Sequence, residues 1–402
     1  MSTNIFNEQH KQPPLTDNMK MLMEELKVIL SNPVVEAAYN EAVSNVQVNI
    51  FDLESQQTIT NPWAGTTVQY LVEYFEKWFT FLPSPTSGLG QIVPFTWFYL
   101  ENNSAYFFLN ILESRSGGAK CYTKEIFDWT VSFIIARGEF MDSQASAPDY
   151  LLDEWMNFPG TDIKEYVVPK GGYKTFNEFF TRVFKDQNKS RPILDHDPSI
   201  VVASGDTEIN FIESELTLTT QIDVKTRQIN VTELLDDSKY AKYFVGGTAL
   251  SCVLMPNNYH HYHSPVSGKI VESKNVPGIY NGIKDGEHWF NKGNIGEAST
   301  NFSIFEDFHR AYYIIDTEQY GHVVVIPVGL NTISKIVSLN PYTDKLVSSG
   351  DCPVLVNKGD ELGHFAYGGS LNILMFEPGV FGSLSVLMGQ RLGQMSPPSR
   401  LA

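Results

Sequence analysis

Apolar residues recur at helical spacing through the first 150 residues of the chain. After Thr16, a suitable N-cap residue, they fall every three or four positions from Met19 to Leu30. Segments rich in Pro, Gly and Ser separate this stretch from similar ones further along. The spacing predicts helices at about 33–45, 66–81, 93–113 and 122–137, and a short helix over 175–185 with Thr175 as its cap.

From about residue 199 onward the pattern changes to short apolar runs of the kind that form β-strands. This order of elements predicts an α+β fold, in which a helical N-terminal region precedes a mostly antiparallel, barrel-sandwich-like β domain. We expect a disordered arm over 1–14, a helical domain over 15–170 and the β domain over 171–402. The predicted strands lie at 200–203, 216–224, 247–255, 269–275, 311–316, 322–328, 333–338 and 371–376.

The charge balance narrows the choice of partners. With 29 Lys and Arg against 46 Asp and Glu, the formal net charge is −17, which repels phosphate backbones and anionic lipid surfaces. No apolar run approaches the about 20 residues that span a bilayer, and the polar start carries no targeting signal. We therefore expect a cytoplasmic protein that binds no nucleic acid, and the composition argues against membrane binding.

Three polar segments contain the candidate chemistry: a turn with Asp206, a cluster with His260, His261 and His263, and Ser370 after two glycines. Each also has an ordinary structural interpretation, as turn residues or as a glycine bulge. The histidines suit general acid–base catalysis, because an unperturbed imidazole has a pKa of about 6.5. A Gly-Ser bond suits self-cleavage, because the serine hydroxyl can attack the preceding carbonyl. Neither the scattered cysteines nor an HExxH motif completes a zinc site, so we expect no metal.

Taken together and in this order, these segments resemble the phosphatidylserine decarboxylase family of pyruvoyl enzymes. Residues 176–182 (Phe-Asn-Glu-Phe-Phe-Thr-Arg) resemble its N-E-F-F-x-R segment, and 259–265 (Tyr-His-His-Tyr-His-Ser-Pro) its Y-H-R-x-H-x-P motif. Asp206 stands at its P-A-D-G aspartate, and 356–365 resemble its K-G-x-E-L-G-x-F approach to a cleavage site. The resemblance covers about 173–378, more than half of the chain. Residues 191–193 (Arg-Pro-Ile) and 328–329 (Val-Gly) are similar to two further family segments.

Two departures from the family pattern bear on the substrate. The usual L-G-S-T is Gly-Gly-Ser-Leu at 368–371, and P-A-D-G is Ser-Gly-Asp-Thr at 204–207. The Gly-Gly-Ser version is similar to that of a soluble, tryptophan-decarboxylating branch of the family, which has a comparable helical extension at its N-terminus. The departures lower the expectation of a lipid substrate and leave the self-processing serine in place.

The resemblance implies a self-processing enzyme whose covalent cofactor is a pyruvoyl group made from Ser370. In this scheme His263 is the general base on Ser370, Asp206 orients His263, and the bond between Gly369 and Ser370 breaks. The chain becomes two pieces, 1–369 and 370–402, which we expect to stay associated.

For the reaction itself, the resemblance implies a Schiff base between the pyruvoyl group and a substrate amine, which accepts the electron pair left by departing CO2. His260 is the candidate that protonates the resulting carbanion. Arg310 resembles the arginine of the family's N-E-R motif, and a structural ion pair and a contact with the substrate carboxylate are equally compatible with it. Other substrate-binding residues are unassigned.

We therefore predict a pyruvoyl-dependent carboxy-lyase that acts on a free L-amino acid, with a tryptophan-like one favoured. One alternative is a phosphatidylserine decarboxylase that makes phosphatidylethanolamine. Another is an unprocessed relative that binds a partner without catalysis. A third and weaker alternative is a metal hydrolase that uses His260, His263 and His364.

Overall fold

The structure of the chain is a computed structural model. It describes residues 12–52, 57–85, 90–99, 102, 104–105, 121–216, 231–278, 308–329, 335–349, 353–368, 370–386 and 388–389. Most of the predicted arm over 1–14, nearly all of the predicted strand over 216–224, and Gly369 lie outside these residues.

Helices dominate the described residues before position 200. Thr16 caps the first helix, since its Oγ1 accepts a hydrogen bond from the Met19 amide at 3.3 Å. The predicted helices at 33–45, 66–81 and 122–137 are confirmed within a few residues, whereas the one predicted over 175–185 ends at Phe180. The helices are α1 (Asp17–Leu30), α2 (Pro33–Ser44), α3 (Val68–Phe79), α4 (Ile92–Tyr99), α5 (Cys121–Met141), α6 (Asp149–Asn157), α7 (Phe176–Phe180) and α8 (Gln187–Ser190).

A short hairpin, β1 (Asn49–Asp52) with β2 (Gln57–Thr60), interrupts the helical region and was not predicted. The helices share one hydrophobic cluster that is rich in aromatic rings. We call it the N-terminal core; it consists of buried residues between Met19 and Phe180, together with Tyr367. Trp63 and Trp129 are fully buried in it, and their indole N–H groups donate to backbone carbonyls at 2.6 and 2.7 Å. The aromatic residues of this region therefore form a core.

The second half of the described chain is mostly β-structure. Two short helices, α9 (Val231–Leu234) and α10 (Asp344–Ser349), accompany the strands. Residues 200–203, predicted as a strand, have no regular structure, and the strands observed at 208–213, 261–263, 354–356 and 361–365 were not predicted. The strands are β3 (Glu208–Glu213), β4 (Thr248–Leu254), β5 (His261–His263), β6 (Gly268–Val276), β7 (Arg310–Asp316), β8 (His322–Gly329), β9 (Ile336–Ser338), β10 (Val354–Val356), β11 (Glu361–Phe365) and β12 (Ser370–Phe376).

These strands form two antiparallel sheets, which confirms the predicted fold class. The larger has seven strands in the order β10-β6-β7-β8-β12-β4-β3, and the smaller has the order β5-β11-β9. One hydrophobic cluster lies on the face of the large sheet that carries α9, and the other joins the two sheets. Among the described residues, no helix is long and apolar enough to cross a membrane.

Strand β12 lies inside the large sheet and pairs along its whole length with β4 on one side and β8 on the other. Every one of its residues is buried. Successive side chains alternate between the two faces of the sheet. Leu371 and Ile373 enter the cluster on the α9 face, whereas Leu374 enters the cluster between the sheets. Ser370 and Asn372 share the face of Leu374.

Candidate active site

Ser370 is the first residue of β12, and its position in the sheet fixes its backbone. It pairs with Leu254 of β4 and with Gly329 of β8. The side chain is 1% exposed, and its Oγ lies 3.0 Å from Nδ1 of His260. A serine hydroxyl held against an imidazole, away from water, is the arrangement in which a serine becomes a nucleophile.

The protonation of His260 follows from its two partners. Nε2 lies 3.3 Å from the carbonyl oxygen of Pro256, so Nε2 carries the hydrogen and donates it. The lone pair is then on Nδ1 and accepts the hydroxyl hydrogen of Ser370. Burial, together with the positive charge of Arg182, lowers the pKa of His260 well below its usual 6.5. His260 is therefore neutral at pH 7 and can take a proton from Ser370.

Helix α7 and the residues after it form one wall of this site. The Phe180 ring stacks on the His260 ring with centroids 3.7 Å apart. Arg182 is buried, donates to the carbonyl oxygen of Asn258 at 3.0 Å, and lies 4.5 Å from the centroid of the Tyr166 ring. These contacts hold the turn that precedes His260, so the segment resembling N-E-F-F-x-R supports the histidine.

The residues just before Ser370 are held by helix α7, which packs into the N-terminal core. The Tyr367 amide donates to Oδ1 of Asn177 at 2.8 Å, and Nδ2 of Asn177 donates to Asp142 at 2.7 Å. The Tyr367 ring packs edge-on against Phe180 and belongs to the N-terminal core. Gly368 has a φ of 148°, a backbone conformation that favours glycine. The chain thus approaches the predicted cleavage position in a fixed conformation.

His263 does not lie against Ser370 in this structure. Its Nδ1 is 2.9 Å from the carbonyl oxygen of Gly359, and its Nε2 is 3.3 Å from the Tyr259 hydroxyl. The physical reason is strand alternation: β5 places His261 and His263 on one face, so that His260 faces the other way. The resemblance assigns both His260 and His263 to chemistry at residue 370, but in this structure only His260 of the two contacts it. The predicted role of His263 as base stays a prediction.

Asp206 does not orient His263 by a hydrogen bond in the described structure. Its carboxylate accepts from Nε of Arg191 at 2.8 Å and from Nη2 of the same residue at 2.7 Å. Arg191 also pairs with Glu165 at 2.9 Å, and its side chain is 40% exposed. Burial lowers the pKa of His263, and the Gly359 carbonyl and the negative charges of Glu361 and Asp206 oppose this shift only in part. Asp206 therefore joins the helical region to the β domain through Arg191.

His261, Glu361 and His364 form a second cluster, on the opposite face of β5 from His260. Their potential ligand atoms all lie within 4.8 Å of one another, so the three side chains could hold a metal ion. Nδ1 of His261 lies 2.7 Å from Glu361, and its Nε2 lies 3.1 Å from the carbonyl oxygen of Thr181. His364 thus approaches His261, not His260 or His263 as the metal-hydrolase alternative required.

Arg310 serves the fold of the β domain. It is buried, and its guanidinium donates to the carbonyl oxygens of Leu234 and Phe308 at 2.7 and 2.9 Å. These bonds tie β7 to the end of α9.

Phe180, which packs in the site, and Asn372, which lies on the same strand as Ser370, were not singled out from the sequence. Phe180 stacks on His260, although only its place in the N-E-F-F-x-R segment marked it. Asn372 shares a sheet face with Ser370 and is fully buried. Its signal was present in the sequence, because an amide two residues after Ser370 breaks an otherwise apolar strand.

The fold and site define an α+β protein with a serine–histidine pair at the start of a buried strand, directly after a glycine pair. Comparison with protein families gives a match to phosphatidylserine decarboxylase over residues 176–394. The chain belongs to the phosphatidylserine decarboxylase family, which is a family of pyruvoyl-dependent carboxy-lyases. Its proenzymes form a covalent pyruvoyl group from a serine.

Several curated proteins are similar to this chain. A phosphatidylserine decarboxylase proenzyme of Fusobacterium nucleatum is 32% identical over 216 residues, which are 54% of this chain and 64% of that protein. Phosphatidylserine decarboxylase proenzyme 3 of Schizosaccharomyces pombe is 29% identical over 282 residues, 67% of this chain and 27% of that protein. A proenzyme of Clostridium perfringens is 29% identical over 258 residues, 63% and 77% of the two chains. The matches thus span less than two thirds of the first two relatives.

Proposed function

We propose that the chain is a self-processing, pyruvoyl-dependent decarboxylase in which Ser370 supplies the pyruvoyl group. The observation that carries this proposal is the buried hydrogen bond between Oγ of Ser370 and Nδ1 of His260. Family membership supports it, because the family's proenzymes make their group from a serine. The residues fit the group, since Ser370 is buried and directly follows the glycine pair.

In the proposed self-processing, His260 takes the hydroxyl proton and Oγ of Ser370 attacks the carbonyl carbon of Gly369. The C–N bond breaks, an ester C–O bond forms, and the proton passes to the released amine. His260, which is neutral again, then takes the Cα proton of residue 370. The electron pair forms the Cα–Cβ double bond and the Cβ–Oγ bond breaks, which frees the Gly369 carboxylate and leaves a dehydroalanine. Water hydrolyses its imine tautomer, and ammonia leaves. The pieces 1–369 and 370–402 stay together because β12 is hydrogen-bonded on both sides.

A pyruvoyl group supplies a ketone that bonds to a substrate amine and accepts the electron pair released with CO2. The chain's own contribution at this point is His260, whose Nδ1 is already in contact with residue 370. It can take a proton from the substrate's ammonium group and return that proton to the substrate carbon. Phe180 stacks on one face of that ring, and the His260 side chain is buried away from water. The family resemblance gives the cleavage step to His263 and Asp206, and that assignment competes with His260.

Phosphatidylserine is the substrate that the comparisons support, because the relatives described above are named phosphatidylserine decarboxylases. In that case the product would be phosphatidylethanolamine.

A free aromatic L-amino acid is the second candidate, and the aromatic rings of Phe180 and Tyr367 beside the site favour it. The Gly-Gly-Ser sequence at 368–370 is similar to that of the soluble tryptophan decarboxylase of the psilocybin pathway. In addition, α1 to α6 precede the range that matches the family, and the soluble tryptophan decarboxylase has a comparable helical extension at its N-terminus. This candidate goes with a cytoplasmic location.

The test is a mass measurement followed by a substrate comparison. Intact mass should show a fragment that begins at residue 370 with a carbonyl in place of its amine, and hydrazine or borohydride should modify that fragment. CO2 release is then measured from phosphatidylserine vesicles and from free L-amino acids, with tryptophan among them. An uncut, unmodified chain would reject the proposal and favour a non-catalytic binding protein.

A further inference from the structure

Asn372 is a buried amide whose polar atoms have no partner in the part of the chain that the structure describes. It is 0% exposed, and among the described residues neither Nδ2 nor Oδ1 makes a hydrogen bond. Its neighbours on either side, Leu371 and Ile373, are fully buried and apolar. Burial of an unpartnered amide destabilises a fold, and buried polar groups are usually hydrogen-bonded. A leucine of similar shape would fill the same space without this loss.

Asn372 lies on the same strand as Ser370, two residues further along. Because side chains alternate along a strand, Asn372 and Ser370 lie on the same face of β12, about 7 Å apart along the chain. Cys252 and Leu254 lie opposite them on β4. Nδ2 of Asn372 is 3.8 Å from the position that a Cβ on Gly205 would occupy. The amide is therefore enclosed between the serine's strand and the turn that contains Asp206.

We propose that Asn372 is a substrate-contact residue, in which Nδ2 donates to the carboxylate of an α-amino-acid group and Oδ1 accepts from its amine N–H. This inference rests on the proposed function. An amide presents a donor and an acceptor side by side, which matches a carboxylate and an amine on one carbon. Free L-amino acids and the phosphatidylserine headgroup both carry this group.

The absence of charge on Asn372 suits a carboxylate that has to leave as CO2. A cationic partner would stabilise the bound carboxylate strongly and would lose that interaction as the C–C bond breaks. A neutral amide orients the same carboxylate with a smaller gain in the ground state. The amide of Asn372 thus makes no hydrogen bond that stabilises the described fold, and remains free to bind a substrate.

The test is Asn372→Leu in the full chain. We expect complete self-cleavage and a thermal midpoint that is higher by a few degrees, because an unpartnered amide is no longer buried. We also expect kcat/KM for CO2 release to fall about 10- to 100-fold, because a hydrogen bond to a charged group is lost. The assay has two arms, phosphatidylserine vesicles and free L-amino acids, and the loss should appear in whichever arm the wild type uses.

Gln91→Met is the matched control. Gln91 is 1% exposed, neither of its amide atoms has a partner among the described residues, and it lies in the helical region. The control should also raise the thermal midpoint and should leave kcat/KM unchanged. Asn372→Ala, which introduces no bulk, is the second variant if the leucine variant does not fold.

An Asn372 variant that is cleaved and keeps the wild-type kcat/KM overturns the inference while the proposed function stands. A lower midpoint together with an uncut chain also overturns it, because the amide would then be a structural residue. If the wild-type chain is uncut or releases no CO2 in either arm, the proposed function fails, and the inference fails with it.

Discussion

The helical region and the β domain differ in what holds them together and in what they contribute. The helical region is packed around aromatic rings, with three fully buried tryptophans, and α1 to α6 precede the range that matches the family. The β domain is packed around Val, Ile and Leu and contains Ser370 and His260. The two meet at the residues before the predicted cleavage position, where Tyr367 belongs to the N-terminal core. The comparison assigns the proposed chemistry to the β domain, and the contacts that hold the segment before Ser370 to helix α7 and the N-terminal core.

Ser370→Ala is the variant with the largest expected effect and tests the contribution of the β domain. Without the hydroxyl there is no nucleophile, so we expect only full-length chain and no CO2 release above background. Denaturing electrophoresis and intact mass measure the cleavage. Ser199→Ala changes an exposed turn serine and should be cleaved normally. A cleaved Ser370→Ala chain would place the scissile bond elsewhere.

The pair His260→Ala and His263→Ala separates the two candidate bases. We expect His260→Ala to slow cleavage about 100-fold or more, because general-base catalysis contributes about 10²–10⁴-fold and His260 contacts Ser370. His263 contacts Gly359 and Tyr259, so its variant should accumulate less precursor. Pulse-labelled cell-free synthesis gives both rates. If His263→Ala accumulates more precursor, then His263 is the base, as the family resemblance implies.

The pH dependence of cleavage tests the state of His260. Because burial lowers its pKa well below 6.5, the neutral form that accepts a proton persists as the pH falls through 6.5. The cleavage rate should therefore be constant from pH 8 to 6.5 and should fall about tenfold per pH unit only below the lowered pKa. A rate that already halves near pH 6.5 would indicate a base exposed to solvent.

Asn177→Ala has the smallest expected effect and tests the junction between the two regions. It removes the acceptor of the Tyr367 amide and the donor to Asp142, so we expect about 1–3 kcal/mol less stability and a cleavage rate several-fold lower. Asn102→Ala is the matched control, because that amide also bonds to two buried groups but lies in the N-terminal core. Equal cleavage rates in the two variants would show that the helical region does not position the segment.

Much of the fold could be predicted because the spacing of apolar residues in the sequence matches the repeat of a helix or the length of a buried strand. The spacing from Met19 to Leu30 gave α1, and the apolar run at 371–376 gave β12. The hairpin at 49–60 was missed because its strands are largely polar and only four residues long. Patterns of this kind reveal a strand only when it has a buried face.

The site was harder to predict than the fold. The spacing of His260 and His263 permits either a shared turn or opposite faces of a strand, and the partner that decides between them, β11, lies 100 residues later. The contact of Arg191 with Asp206 likewise depends on tertiary packing. The residues near Asp206 in the sequence therefore do not indicate that its carboxylate binds Arg191 and not His263. By contrast, the common face of Ser370 and Asn372 follows from alternation alone.

Because β12 is paired on both sides, a cut chain would be hard to distinguish from an uncut one under native conditions. A chain cut just before Ser370 would keep β12 as an interior strand of the large sheet, hydrogen-bonded to β4 and β8. Gel filtration and native electrophoresis would then report one particle of unchanged size. Dissolving that particle in urea, rather than diluting it, would be the step that reveals two polypeptides.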